Sequence, residues 1–191
     1  GMAKRYMSNP REISVGTKNS GSLNVEHWYY VVNVKDRYLA LKRIADLHPE
    51  IYGIVFCKTR LETQEIADML IADGYNADSL HGDLSQERRD AVMNRFRSGR
   101  LQLLVATDVA ARGLDVDDLT HVIHFRMPDN LDSYIHRSGR TGRAGKKGVS
   151  ISILGPRDIR QLKMIEKQVG KQFHEKRVPA AEEVIGKQLF T

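Results

Sequence analysis

The chain has 191 residues, 41% of them apolar, which is enough to bury one core with a short segment appended at either end. Thirty Lys and Arg against 24 Asp and Glu give a net charge of +6, which favours an anionic partner but lies far below the charge density of a disordered basic tail. No apolar run approaches the roughly 18 residues a membrane span needs, and a single cysteine rules out an internal disulfide, so the expectation is a soluble protein of a reducing cytoplasm with no membrane partner.

Residues 1–24 are polar and read as a leader or linker, with a Gly1-Met2 start resembling a tag scar and at most a short strand at 12–15. Residues 25–33 (VEHWYYVVN) are aromatic and β-branched and predict a strand, with Trp28, Tyr29 and Tyr30 divided between core and interface. Asp36 is then expected to cap a helix whose Leu39, Leu41, Ile44, Ala45 and Leu47 recur at helical spacing and which stops at Pro49. Residues 51–57 form a continuous apolar run of the kind buried on both faces of a parallel sheet, which makes Cys57 a buried, reduced thiol.

The alternation continues through a helix at 61–72 closed by Gly74, a strand at 77–80, a helix at 85–96 capped by Ser85, and strands at 101–106 and 121–125. Asp129-Asn130 offers the cap of a short helix carrying Leu131, Tyr134 and Ile135, followed by a strand at 149–154. Pro156 opens a helix at 157–168, and 173–178 is a closing strand. The tail at 179–191 has a weak apolar pattern and reads as a loose helix belonging to something absent. The expected division is a 1–24 linker, a 25–176 domain and a 177–191 tail.

Strand and helix repeated about five times predict an α/β fold, an open parallel sheet with helices on both faces. Ligands bind such sheets at the carboxyl ends of the strands. Lys58-Thr59-Arg60, His81-Gly82-Asp83, Thr107-Asp108 and Arg126 all fall there. The densest cluster is His136-Arg137-Ser138-Gly139-Arg140-Thr141-Gly142-Arg143, on the helix that follows the 121–125 strand. Guanidinium grips phosphate through two hydrogen bonds, and glycine admits close approach, so the cluster suits a polyphosphate better than a carboxylate metabolite. Taken alone, it reads first as a solvated basic turn ahead of the next strand, and only its context reverses that.

Together these clusters resemble the C-terminal RecA-like lobe of a DEAD-box ATP-dependent RNA helicase over about residues 25–176. Residues 55–60 (VFCKTR) look like motif IV, 80–86 (LHGDLSQ) with Arg89 like motif IVa, 106–115 (ATDVAARGLD) like motif V and 136–143 (HRSGRTGR) like motif VI. His136, where DEAH proteins and more distant superfamily-2 DNA helicases usually carry Gln, favours the DEAD-box group, and Ser138 departs from a frequent Ile. The resemblance implies a three-layer αβα lobe of the P-loop NTPase type. It implies that Arg140 and Arg143 are arginine fingers for the γ-phosphate of ATP, that Asp115 accepts hydrogen bonds from the ribose, and that His136 and Arg137 couple nucleotide state to RNA state.

The implied RNA face comprises Thr59, Arg60, Gly82, Arg89, Thr107 and Gly113, whose hydroxyls, backbone amides and guanidiniums suit phosphate oxygens. Arg89 read alone serves as well in an ion pair on its own helix, and Arg112 is expected to brace motif V against motif VI. The sequence contains no Gly-x-x-x-x-Gly-Lys-Ser/Thr loop, no Asp-Glu-Ala-Asp and no metal-ligand set. The resemblance therefore puts ATP and Mg²⁺ mainly on an N-terminal lobe, whose last residues and linker residues 3–15 resemble. The whole protein is then expected to hydrolyse ATP and separate short RNA duplexes, and this chain alone to be inactive. Arg177, Pro179 and Glu183 resemble the bacterial cold-shock and ribosome-assembly branch, implying ribosomal or pre-ribosomal RNA as partner and a further RNA-binding extension. The alternatives are a superfamily-2 DNA-translocating motor lobe and a non-catalytic RNA-binding module.

Overall fold

The computed structural model describes residues 24–116 and 118–189, so the strand expected at 12–15 lies outside the described residues. The elements in chain order are β1 (Val25–Val31), a 3-10 turn (Val34–Asp36), α1 (Arg37–Leu47), β2 (Gly53–Phe56), α2 (Arg60–Ala72), β3 (Ala77–Leu80) and α3 (Gln86–Arg97). They continue with β4 (Leu103–Ala106), α4 (Asp108–Ala111), β5 (His121–His124), α5 (Leu131–Ser138), β6 (Gly148–Leu154), a 3-10 turn (Pro156–Asp158), α6 (Ile159–Val169), β7 (His174–Lys176) and α7 (Ala181–Leu189).

Among the described residues all seven strands are parallel, in the order β3-β4-β2-β5-β6-β1-β7. Parallel strands need helical crossovers, and these cover both faces. On one face α1 and α2 bury Leu41, Ile44, Ile66 and Leu70 against Val55, Val105, Ile123 and Ile153. On the other, α3 and α4 bury Val92, Phe96 and Ala110 against Ile54, Phe56, Leu104 and Val122. A third cluster joins β1 and β6 to α5 and α6 through Tyr29, Tyr134, Leu154, Leu162 and Ile165. β2 is buried at every position because it pairs with β4 and β5 and is covered on both sides, which is why its sequence is apolar without alternation. Cys57, just beyond it, is buried, and burial pushes its thiol pKa up.

Three local expectations need correction. Asp36 precedes α1, but its side chain makes no capping hydrogen bond; the chain enters through the 3-10 turn instead. What anchors that end is Arg37, 5% exposed, whose Nη1 donates to the carbonyls of Phe125 at 3.0 Å and Ile153 at 2.7 Å while Nη2 pairs with Asp158 Oδ2 at 3.1 Å. Arg37 thus ties the carboxyl ends of β5 and β6 to α1. Second, the helix after Pro156 begins as a 3-10 turn held by Asp158 Oδ2, which accepts from Gly155 N at 2.9 Å, and becomes α-helical only at Ile159. Third, the tail helix packs on this domain: α7 lies against α1, Val184 is buried, and Arg43 Nη1 donates to Pro179 O at 2.7 Å.

Candidate functional site

Motif V and motif VI meet beyond the carboxyl ends of β4, β2 and β5. Asn130 starts α5, its Oδ1 accepting from Ser133 N at 2.9 Å, and Gly139 ends it. The turn that follows is pinned at two points. Thr141 is buried, bridges to Leu119, and donates its hydroxyl to the Leu119 carbonyl. Gly142, at φ +71°, lies so close to β1 that a Cβ would sit 2.6 Å from Val25 Cγ2, and a Cβ on Gly148 would meet Thr141 Oγ1 at 2.1 Å. Side-chain-free backbone is therefore what lets the turn pack against the sheet.

Arg140 and Arg143 leave this pinned turn into a cleft of about 730 Å³ that Gly113, Asp115 and His136 also line. Arg140 Nη1 donates to the Leu114 carbonyl, and Arg143 Nε donates to Gly139 O at 2.6 Å, so each guanidinium is oriented by a backbone oxygen. Asp115, His136 and Arg143 are exposed, and Gly113 turns the chain at φ +79°. The cleft presents two cations and one carboxylate on rigid supports, a set suited to one anionic and one hydroxyl-bearing part of the same ligand.

Arg137, in the same motif, behaves differently. It is 3% exposed and pairs with both oxygens of Asp108, Nε to Oδ1 at 2.7 Å and Nη2 to Oδ2 at 2.6 Å. Its Nη1 donates to Arg126 O at 2.9 Å and faces His124 Nδ1 at 3.3 Å, and its guanidinium lies 4.8 Å from the Phe56 ring centre. A guanidinium has no acceptor, so His124 must accept at Nδ1 and donate from Nε2, to Ser150 Oγ at 2.8 Å. Burial, then the charge of Arg137, holds the His124 pKa well below its ordinary value. Ser150 continues the chain to Ser138 at 2.8 Å and to Tyr134 at 3.3 Å, and the Tyr134 hydroxyl meets His27 Nδ1 at 2.7 Å. The brace between motifs V and VI is thus Arg137 with Asp108, not Arg112. Arg112 is exposed on the rim of a separate cavity of about 290 Å³ that Asp108, Ser133 and His136 help to line.

The other candidate residues spread along the same edge in two further places. Thr59 caps α2, accepting from Glu62 N at 3.0 Å, and lines a cleft of about 390 Å³ with Lys58, Arg126, Asp129, Asp158 and Gln161. In that cleft Arg126 Nη2 pairs with Glu62 Oε2 at 2.7 Å and Lys58 with Asp129 at 2.8 Å. Farther along, Arg60 pairs with Asp83 at 2.7 Å and lies over Gly82, where a Cβ would approach Arg60 Cδ to 3.6 Å. His81, buried beneath, accepts from Asp83 N at 3.2 Å and donates from Nε2 to Gln64 Oε1 at 2.8 Å, which fixes the Gly82 turn. Sequence reasoning placed His81 at this edge, within motif IVa, but gave it no role of its own.

Arg89 is half-buried and its side chain makes no hydrogen bond or ion pair among the described residues, so the same-helix ion pair is not formed. Thr107 corrects the expectation of a surface hydroxyl: it is 7% exposed and its Oγ1 accepts from Ala110 N at 3.2 Å, capping α4. Its side chain belongs to the scaffold. Among the described residues no group of His, Cys, Asp and Glu could hold a metal ion, and no helix is long and apolar enough to cross a membrane.

This sheet order is that of a RecA-like lobe, and residues 36–145 match the model of the helicase conserved C-terminal domain. The chain belongs to that family, and within it to the DEAD-box group. It is 40% identical over 184 residues to the DEAD-box ATP-dependent RNA helicase CshA of Geobacillus kaustophilus, an overlap of 96% of this chain and 39% of that protein. The chain thus spans about two-fifths of the length of that curated relative. The crystal structure of the Escherichia coli DEAD-box protein SrmB, bound to regulator of ribonuclease activity A, superposes with a TM-score of 0.74 at 35% identity, covering 84% of this chain and 93% of that one. Saccharomyces cerevisiae Dbp5 bound to RNA and ADP BeF3 gives a TM-score of 0.79 at 29% identity, covering 91% of this chain and 48% of that one.

Proposed function

We propose that this chain is the half of an ATP-dependent RNA helicase that completes the catalytic site and one side of the RNA groove, in a protein that separates short RNA duplexes. The observation that carries this is the shared cleft, into which Arg140 and Arg143 project from a turn pinned by Thr141, Gly142 and Gly148 and which Asp115 lines from the motif V loop. ATP, with Mg²⁺ to neutralise its phosphates, is held mainly by an N-terminal lobe of the same protein. Arg140 and Arg143 reach across to the γ-phosphate and meet the charge that grows as it is transferred, an effect typically worth about 10³ to 10⁵ in rate. The Asp115 carboxylate accepts hydrogen bonds from the ribose, and His136, exposed between the two cavities, relays nucleotide state to the RNA side.

Thr59, Arg60, Gly82, Arg89 and Gly113 face the RNA backbone, contacts that carry no base information, and 2′-hydroxyls distinguish RNA from DNA. RNA is the partner we favour on the likeness to an ATP-dependent RNA helicase, with ribosomal or pre-ribosomal RNA in the cytoplasm as the class that the resemblance at Arg177, Pro179 and Glu183 suggests. The test is ATP turnover by the full-length protein with RNA and with the same strand 2′-deoxygenated. We expect Arg143→Lys to lower RNA-stimulated turnover at least about a hundredfold, with substrate KM little changed. Wild-type rates in that variant refute the finger role, and equal stimulation by DNA refutes the RNA assignment.

A further inference from the structure

We propose that the outward face of α6 and the edge strand after it form a second contact for the RNA backbone, continuous with the edge described above and blind to base sequence. The inference rests on the RNA reading for the identity of its polyanion. Residues 156–178 carry seven basic side chains against three acidic ones, so four of the chain's six net positive charges sit in this one segment. At about 100° per residue, Arg160, Lys163 and Lys167 lie within about 60° of one another on α6. All three are exposed, while Leu162, Ile165 and Val169 face the core.

The three acids scarcely offset them. Asp158 is engaged by Arg37 and Gly155 N, and Glu166 accepts from Phe173 N at 2.6 Å and from Lys163 at 3.3 Å. Only Glu175 is left on the exposed edge strand. The side chains of Arg157, Arg160, Lys167 and Arg177 make no hydrogen bond or ion pair among the described residues. An ordinary solvated helix face mixes both signs at i,i+4 spacing, whereas a one-sign face repels itself unless a polyanion covers it. Lys171 is set aside because its ammonium donates to Val25 O at 2.6 Å.

The place of the stripe selects the partner. The cleft that Thr59 and Lys58 line is lined also by Asp158 and Gln161, and Gln161 Nε2 is fixed to Pro128 O at 2.7 Å. Arg157 and Arg160 are the chain neighbours of those two residues, so a strand that extends from Thr59 along this cleft has them within its reach. A membrane surface is the poorer fit, because an interfacial helix buries its apolar face in lipid and that of α6 is already buried in the domain. Phosphate spacing along a strand and a row of flexible cations need no shape match, so the contact adds affinity and no sequence preference.

The test measures anisotropy of this chain with fluorescent oligouridine of about 8 and about 24 nucleotides, between about 50 and 200 mM salt. The Arg160→Gln/Lys163→Gln/Lys167→Gln triple variant should bind the long strand roughly tenfold more weakly at low salt, with a salt slope shallower by about 2, and bind the short strand as wild type does. Arg89→Gln should weaken both lengths, which marks the first contact independently. A triple variant that binds the long strand like wild type overturns the second contact and leaves the RNA reading standing. Absence of binding to either length by wild type overturns both. Wild-type capture of phosphatidylglycerol vesicles that the triple variant loses, with RNA binding unchanged, overturns it in favour of a lipid surface. Retained affinity in Arg160→Lys/Lys163→Arg/Lys167→Arg, with unchanged circular dichroism throughout, confirms that charge is what is read.

Discussion

The Arg137–Asp108 pair should behave as a buried brace whose loss is felt throughout the lobe. In Asp108→Ala the Arg137 guanidinium, 3% exposed, keeps the Arg126 carbonyl at 2.9 Å but loses both carboxylate oxygens at 2.7 and 2.6 Å. Breaking one side of a buried pair costs about 3 to 5 kcal/mol. The Asp108 side chain is 41% exposed, so water screens the orphaned charge, and we expect the lower end, about 2 to 3 kcal/mol. For a domain of this size that is roughly 4 to 12 °C in Tm. The assay is urea unfolding followed by Trp28 fluorescence, in a cycle with Arg137→Met and the double variant. Removing the guanidinium as well should recover much of the loss and give a coupling of at least about 1.5 kcal/mol. A stability change under about 0.5 kcal/mol in Asp108→Ala, or strict additivity, refutes the brace.

Gly142→Ala places a methyl 2.6 Å from Val25 Cγ2 at φ +71°, so we expect about 2 to 3 kcal/mol of destabilisation by the same assay, against less than 0.5 kcal/mol for a substitution of exposed Gln168. His27 has its pKa lowered from 6.5 to about 3, by burial first and the charge of Lys171 second. The unfolded chain then binds a proton that the folded one does not, so stability should be full above pH 6.5 and fall progressively towards pH 3, an effect that His27→Gln should weaken; denaturant midpoints across that range measure it.

The layering was readable because the strands 51–57 and 101–106 are apolar without alternation and the helices between them keep helical spacing, so burial on both faces leaves its mark in composition. What escaped was decided by tertiary contact. α4 is one turn long and has no period to detect. α7 has a weak pattern because only a narrow strip, including Val184, meets α1. Within His136 to Arg143 the residues look alike, yet Arg137 is sealed against Asp108 while Arg143 is exposed five residues past the helix end; nothing local separates them. Arg37 did leave a signal. A cation at the first position of a helix opposes the macrodipole, which points to a compensating partner elsewhere, here two strand-end carbonyls.

The tight seat of Gly142 also joins the turn that carries Arg140 and Arg143 to the point where the chain enters the domain. Asn24 O lies 3.1 Å from where a Gly142 Cβ would stand and accepts from Gly148 N at 2.8 Å, so the start of β1 and both ends of this turn share a single knot. Tension on the polypeptide ahead of Asn24 would load that knot before any other part of the sheet. A pull arriving from that direction is then felt first by Arg140 and Arg143, as a bell-pull is felt first at its hook.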